Sequence, residues 1–167
     1  MIITHTKVST IADGGDTSLI RPSDWNAQHT IGNISGFRAH STTGQVIPST
    51  VETKINFSVE DYDIMSEYDS TNSRFSPSVA GRYLCAANIH MIVLPTAKTA
   101  ILSIQKNGAV YSRGDRIVGV QDTVSASIDI IMNLSATEYV EISLYHTSTN
   151  SLTLEQPNIT FEACRIA

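Results

Sequence analysis

The residues best placed to do chemistry in this chain are carboxylates. Glu60, Asp61 and Asp63 stand close together, and Glu67 and Asp69 follow after a short gap. Hard oxygens suit Ca²⁺, which gathers roughly six or more of them, so Asp61, Asp63 and Asp69 are the candidates for a calcium site. Their spacing is not that of an EF-hand, and a solvated acidic loop explains the run equally well. The five histidines, His5, His29, His40, His90 and His146, share no metal-ligand spacing. A His90 on a strand reads as packed or interfacial, because a ligand role needs convergent partners. The two-histidine zinc helix, the paired-cysteine motif, the nucleophile elbow and the phosphate loop are absent. Two carboxylates across a groove could cleave a glycosidic bond, but a chain this short leaves little room for such a cleft. The expectation is no enzyme and no cofactor.

The elements that must position any site are strands. From residue 34 onward, short alternating runs follow one another: around Phe37 and Ala39, at Gln45–Ile47, and from Val51 to Phe57. Then come Tyr83 to Val93, Ala100 to Gln105, Ala109 to Ser112, Val124 to Leu134, Tyr139 to His146 and Ile159 to Ile166. Asn107-Gly108 between two of them is the strongest short hairpin signal. In Tyr139–His146, Val140, Ile142 and Leu144 face one way and Glu141, Ser143 and Tyr145 the other. Many short strands with turn signals between them mean a β-sandwich or barrel.

Between the third and fourth of these runs lies an ordered set of aromatics and turn formers. Phe57 closes a strand, Tyr68-Asp69 follows a loop, and Phe75, Pro77, Gly81 and Tyr83 spell Phe-x-Pro-x-x-x-Gly-x-Tyr. This set resembles the jelly-roll family of the globular head of complement subcomponent q and tumour necrosis factor. The resemblance covers about residues 36 to 167 and includes the Lys106-Asn107-Gly108 hairpin and the final strand. It implies an all-β jelly-roll sandwich, and some members of that family bind calcium near a trimer apex. The long strand from Tyr83 is apolar on both faces, whereas a lone sandwich needs only one. A second apolar face on a soluble protein marks an interface, and the resembled family buries it along a threefold axis. A homotrimer is therefore expected, with Tyr83, Cys85, Ala87 and Ile89 as the interface residues and the choice of axial face left open.

Residues 1–33 differ from the rest, because no helical or strand period persists in them. Asp13-Gly14-Gly15-Asp16 is a turn cluster, and Pro22-Ser23-Asp24 could open one helical turn. The only tryptophan, Trp25, stands in this coreless stretch, where it needs a partner surface. The run Thr4-His5-Thr6-Lys7-Val8-Ser9, continued by Asp16-Thr17-Ser18-Leu19-Ile20-Arg21-Pro22-Ser23-Asp24-Trp25-Asn26-Ala27, resembles the N-terminal attachment stretch of many bacteriophage fibre and virion proteins. That implies an extended virion-attachment arm over 1–33, with Trp25, Arg21 and Asp24 as attachment residues, and a jelly-roll head over 34–167.

The 167 residues suffice for one domain plus an extension. A net charge of −5 argues against a nucleic-acid partner, which would want a basic face. No run approaches the length of a membrane span and no signal peptide is visible, so synthesis and retention in a bacterial host cytoplasm before joining a virion are expected. Cys85 and Cys164 both sit in strand patterns and read as buried free thiols. The functional expectation is a virion structural protein (tail fibre, head fibre or capsid spike) that contacts other virion proteins through its arm. The trimeric head would adhere to a host surface receptor or glycan. The alternatives are a small polysaccharide-degrading enzyme on the same scaffold and a secreted lectin-like module.

Overall fold

A computed structural model describes the chain except residues 1, 4–7, 17, 19–20, 27–28, 31–33 and 156–158, and the side chains of 2–3, 25–26, 29–30 and 92. It divides into two compact units, Met1–Ile34 and Ser35–Ala167.

The first unit is tied together by short-range bonds. Strand β1 (Ile2–Ile3) pairs antiparallel with β2 (His29–Thr30), and between them lies one helical turn, α1 (Pro22–Asn26). The start of that turn is capped by side chains. Pro22 has no N–H to satisfy, the Arg21 N–H donates to Asp24 Oδ2 at 3.0 Å, and the Ser23 N–H donates to Asp13 Oδ1 at 3.0 Å. The Ser23 hydroxyl also donates to Asp13. The Asp24 contact is half of a capping box. Asp16 accepts from both the hydroxyl and the N–H of Ser18, at 2.6 and 2.9 Å, and these bonds hold its carboxyl below the usual range. The arm therefore has more internal order than its lack of periodicity suggests, because turn-forming side chains cap their own backbone.

The second unit is the jelly roll. Its strands are β3 (Gly36–His40), β4 (Val46–Ile47), β5 (Thr53–Lys54), β6 (Val59–Asp63), β7 (Tyr68–Asp69), β8 (Arg74–Phe75), β9 (Gly81–Leu94), β10 (Thr99–Lys106), β11 (Ala109–Val118), β12 (Asp122–Leu134), β13 (Val140–His146), β14 (Leu152–Leu154) and β15 (Thr160–Arg165). Among the described residues, β12, β9, β15, β3 and β6 run side by side in one sheet, which β14 and β4 extend. The second sheet carries β11, β10, β13, β8 and β7, with β5 also against β13. The expected strand over Val51–Phe57 shrinks to Thr53–Lys54, although Ile55 and Phe57 are still fully buried. Four strands of this unit, β6, β7, β8 and β14, were not anticipated from the pattern.

Aromatic rings fill the space between the sheets. Phe37 stacks on Tyr68 at 4.5 Å and on Phe75 at 4.8 Å, while Phe161 meets Phe37 edge-on at 4.9 Å. Burying each such ring stabilises the fold by about 1.5–3 kcal/mol. Polar tips find partners: Tyr68 OH donates to Phe57 O and Tyr83 OH to Val79 O, each at 2.7 Å. Gly81 is required for close approach rather than for a left-handed turn. A Cβ there would lie 2.4 Å from the Ala167 carbonyl oxygen. The left-handed turn is at Asn107 and Gly108, with φ of 54° and 78°, as the hairpin predicts.

Candidate functional site

Strand β9 decides where the surfaces of this domain lie. Its odd-numbered residues Tyr83, Cys85, Ala87, Ile89 and Met91 are buried in the core, while Leu84, Ala86, Asn88 and His90 point outward. This corrects the expected interface set. Tyr83, Cys85, Ala87 and Ile89 are already consumed by the sandwich of a single chain, so they cannot also line a contact between copies. Both parities of β9 are apolar enough to be buried, and the aromatic set that includes Tyr83 claims the inner one.

The outward face is built in rows by the pairing register. Ile131 of β12 lies opposite Leu84, which lies opposite Cys164 of β15. The next row runs Asp129, Ala86, Glu162, Arg38 and Tyr62 across five strands. Ile131 is 58% exposed and Tyr62 is 51% exposed, so apolar side chains of the head stand outward here. A shallow depression of about 90 Å³ lies between Tyr62, Leu84, Ala86 and Cys164. Glu162 lines it too, and Asp129 lies opposite Ala86 on the other side. Beyond it, Arg38 sits 3.4 Å from Asp61 and 3.8 Å from Glu162, and His40 Nδ1 sits 2.8 Å from Asp61. The face is an apolar strip bordered by charged and polar side chains.

The two thiols lie on opposite sides of this sheet. Burial, with a smaller contribution from Cys164, pushes the Cys85 thiol up to about 12. Cys164 is exposed on the outward face, contrary to the expectation that both are buried. The β15 alternation places Phe161 and Ala163 inward, which leaves Glu162 and Cys164 outward.

The three calcium candidates do not converge. Asp61 is held by Arg38 and His40. Asp63 accepts from the Met65 and Tyr68 N–H groups at 3.3 and 2.7 Å. Asp69 is held below the usual carboxylate range by the Asn72 side chain and N–H, at 2.6 and 3.0 Å. Each carboxylate does local work in an ion pair or a turn, and among the described residues no cluster of His, Cys, Asp and Glu could hold a metal ion. The run Glu60–Asp63, read as loop, is the edge strand β6, whose charges suit an exposed edge. Of the attachment residues, Arg21 and Asp24 meet at the start of α1, and Trp25 lies in that helix with its side chain outside the described residues.

No protein-family model matches the chain, and no curated protein sequence matches it. Solved structures do. The globular domain of zebrafish complement 1qA protein superposes with a TM-score of 0.61 at 10% identity, over 81% of this chain and 98% of that one. Murine APRIL gives 0.58 at 9% identity, over 80% and 100%. The Eiger tumour necrosis factor of S. frugiperda gives 0.52 at 12% identity, over 80% and 92%. At such identities the likeness concerns the fold alone, and on that count residues from about 35 onward are a jelly roll of the complement-q and tumour-necrosis-factor type.

Proposed function

We propose that this chain is a virion structural protein, a fibre or spike, whose head is a homotrimer displayed for adhesion to a host surface receptor or glycan. The observation that carries this reading is the uncovered apolar face at Leu84, Ala86, Cys164 and Ile131, on a head that forms a unit apart from the N-terminal arm. Exposed apolar side chains also stand singly along and just after the edge strand β11, at Tyr111, Val118 and Val120, which are 51%, 53% and 68% exposed. A contact between two different surfaces of the head would be head-to-tail and would close into a ring where the rotation between copies permits. Three copies would raise adhesion by avidity. The arm, which resembles virion attachment stretches, would dock to other virion proteins through α1 and the residues around it. No catalytic step enters the proposal, and the acidic residues Asp61, Asp63 and Asp69 serve ion pairs and turns.

Light scattering tests the assembly. A mass near three times 18.1 kDa at micromolar concentration is expected, and a mass near 18.1 kDa would reject the trimer. Removal of residues 1–33 tests the arm: the head should still melt cooperatively as a soluble protein but no longer join particles. An insoluble or unfolded head would place the arm within the core.

A further inference from the structure

At one end of the sandwich, the connections after β9 and after β13 leave an open cleft of about 440 Å³. That volume falls in the range of small-ligand sites, roughly 300–1,000 Å³. Val93 and Pro95 form one wall, and the run Ser148-Thr149-Asn150-Ser151 with Leu152 forms the other.

Both walls are braced before any ligand arrives. A Cβ on Gly119 would lie 2.1 Å from Pro95 O and 2.6 Å from Leu94 O, so the backbone after β11 lies directly against the first wall. The Gln121 N–H donates to Leu94 O at 3.0 Å and the Gly119 N–H to Lys98 O at 2.7 Å. Val93 itself adopts φ 49°, a region that β-branched residues avoid. Such outliers persist where their surroundings over-determine them, and they cluster at binding sites. On the second wall, the fully buried His146 donates from Nε2 to Ile47 O at 2.9 Å, which leaves Nδ1 to accept from the Ser148 N–H at 3.3 Å, while the Ser148 hydroxyl donates to Asn150 O. The Ser49 hydroxyl donates to Ser148 O. A site braced in this way loses little freedom on binding.

The chemistry of the lining selects the ligand. Among the described residues, no ionisable side chain lines the cleft. The side chains of Thr149, Asn150 and Ser151 are exposed and make no hydrogen bond to the described residues, so two hydroxyls and a carboxamide face the cleft with donors and acceptors to offer. Beside them Val93 and Pro95 offer aliphatic surface. A ring with hydroxyls at its edge and C–H groups on its face matches both features. We infer that this cleft binds a neutral sugar residue of a surface glycan. The inference rests on the adhesion reading above and gives it a location.

The test uses the full-length chain with free glucose, galactose, N-acetylglucosamine and N-acetylgalactosamine as probes in saturation-transfer NMR, and N-acetylneuraminic acid as the charged comparison. At least one neutral sugar should bind, and Thr149→Val/Asn150→Ala should weaken it tenfold or more with the melting temperature unchanged. Binding of none of the four, preferential binding of the charged sugar, or equal binding by the double variant would overturn the inference. The same two proteins are then passed over an array of bacterial surface polysaccharides. Equal retention of both would remove the cleft and leave adhesion standing, while retention of neither, together with no sugar binding, would remove both.

Discussion

The two sheets of the head turn very different faces to the outside. On the sheet of β10 and β13, the outward residues are polar and knit together. Glu141, only 4% exposed, takes Arg74 at 3.0 Å and Lys54 at 3.3 Å on the same oxygen, and Arg74 lies 3.7 Å over the ring of Tyr139. Ser143 donates to Glu52 at 2.6 Å and accepts from Gln105 at 3.0 Å, and Glu52 meets Arg113 at 3.3 Å. That face carries its own cover of long side chains whose stems shield the sheet. On the sheet of β9 and β15, the ion pairs of Arg38 and His40 lie to one side, and among the described residues of the head no such network spans Leu84, Ala86, Cys164 and Ile131. One face is thus finished for water by its own side chains, while the other keeps an apolar strip.

The strongest way to break this contrast is to place a charge on each face. Ala86→Arg on the bare face should bring the light-scattering mass down to about 18.1 kDa with little change in melting, because the side chain points away from the core. Gln105→Arg on the polar face should leave the mass unaltered, and a loss of mass there would erase the distinction. Next in size is Glu141→Ala. It strands two cations that are each about a third exposed, so the cost should be about 2–3 kcal/mol in denaturant unfolding, below the ~3–5 kcal/mol of a fully buried pair, again with no change in mass.

Thiol chemistry sharpens the comparison further. Cys164 should react slowly in the assembled wild type and at least tenfold faster in Ala86→Arg, whereas Cys85 should stay silent in both until unfolding. Equal Cys164 rates would mean that the bare face is not covered. Because burial raises the Cys85 thiol from 9.0 to about 12, the unfolded chain sheds that proton first. The stability tied to it is whole below pH 9.0 and falls as pH climbs toward 12. Cys85→Ala should flatten that alkaline slope. The smallest effect concerns the rim of the polar face, where the hydrogen bond from Lys106 at 2.7 Å and the Ser135 N–H hold Glu138 below its usual 4.5. Its contribution is present above pH 4.5 and fades as the pH falls through the lowered value, so Glu138→Gln should shift melting by about a degree or less near neutrality. In strong acid the shift should vanish.

The sandwich was legible because large aromatics have few places to go. Phe57, Tyr68, Phe75 and Tyr83 announced a shared core by type and spacing, and they fill it. The inward parity of β9 was not legible, since Leu84 and Ala86 are as apolar as Cys85 and Ala87 and alternation alone cannot rank them. Strand β6 escaped because three of its five residues are Glu, Asp and Asp. An edge strand of that composition has the hydrophilicity of a loop. The polar run Thr147–Ser151 was legible only as a loop, and the one hint of a site in it was the density of hydroxyl and amide side chains beside Leu152. The acidic residues drew attention by charge, yet their partners are the Tyr68 N–H, Arg38 and Asn72, contacts that only three-dimensional placement supplies.

One feature of the topology reaches back to the ribosome. Strand β15, the last in chain order, lies between β3 and β9, with Phe161 opposite both Ala39 and Ala87. Until it emerges, the nascent sheet has a gap one strand wide, open on two edges and walled by the rings of Phe37, Phe57 and Tyr68 that Phe161 will touch. Pairing across such sequence distances is slow to nucleate, and unpaired edges beside exposed aromatics are prone to join other chains. A growing polypeptide of this kind is therefore vulnerable until Thr160–Arg165 has been made, and any shortened product that stops before Thr160 would carry that vulnerability permanently.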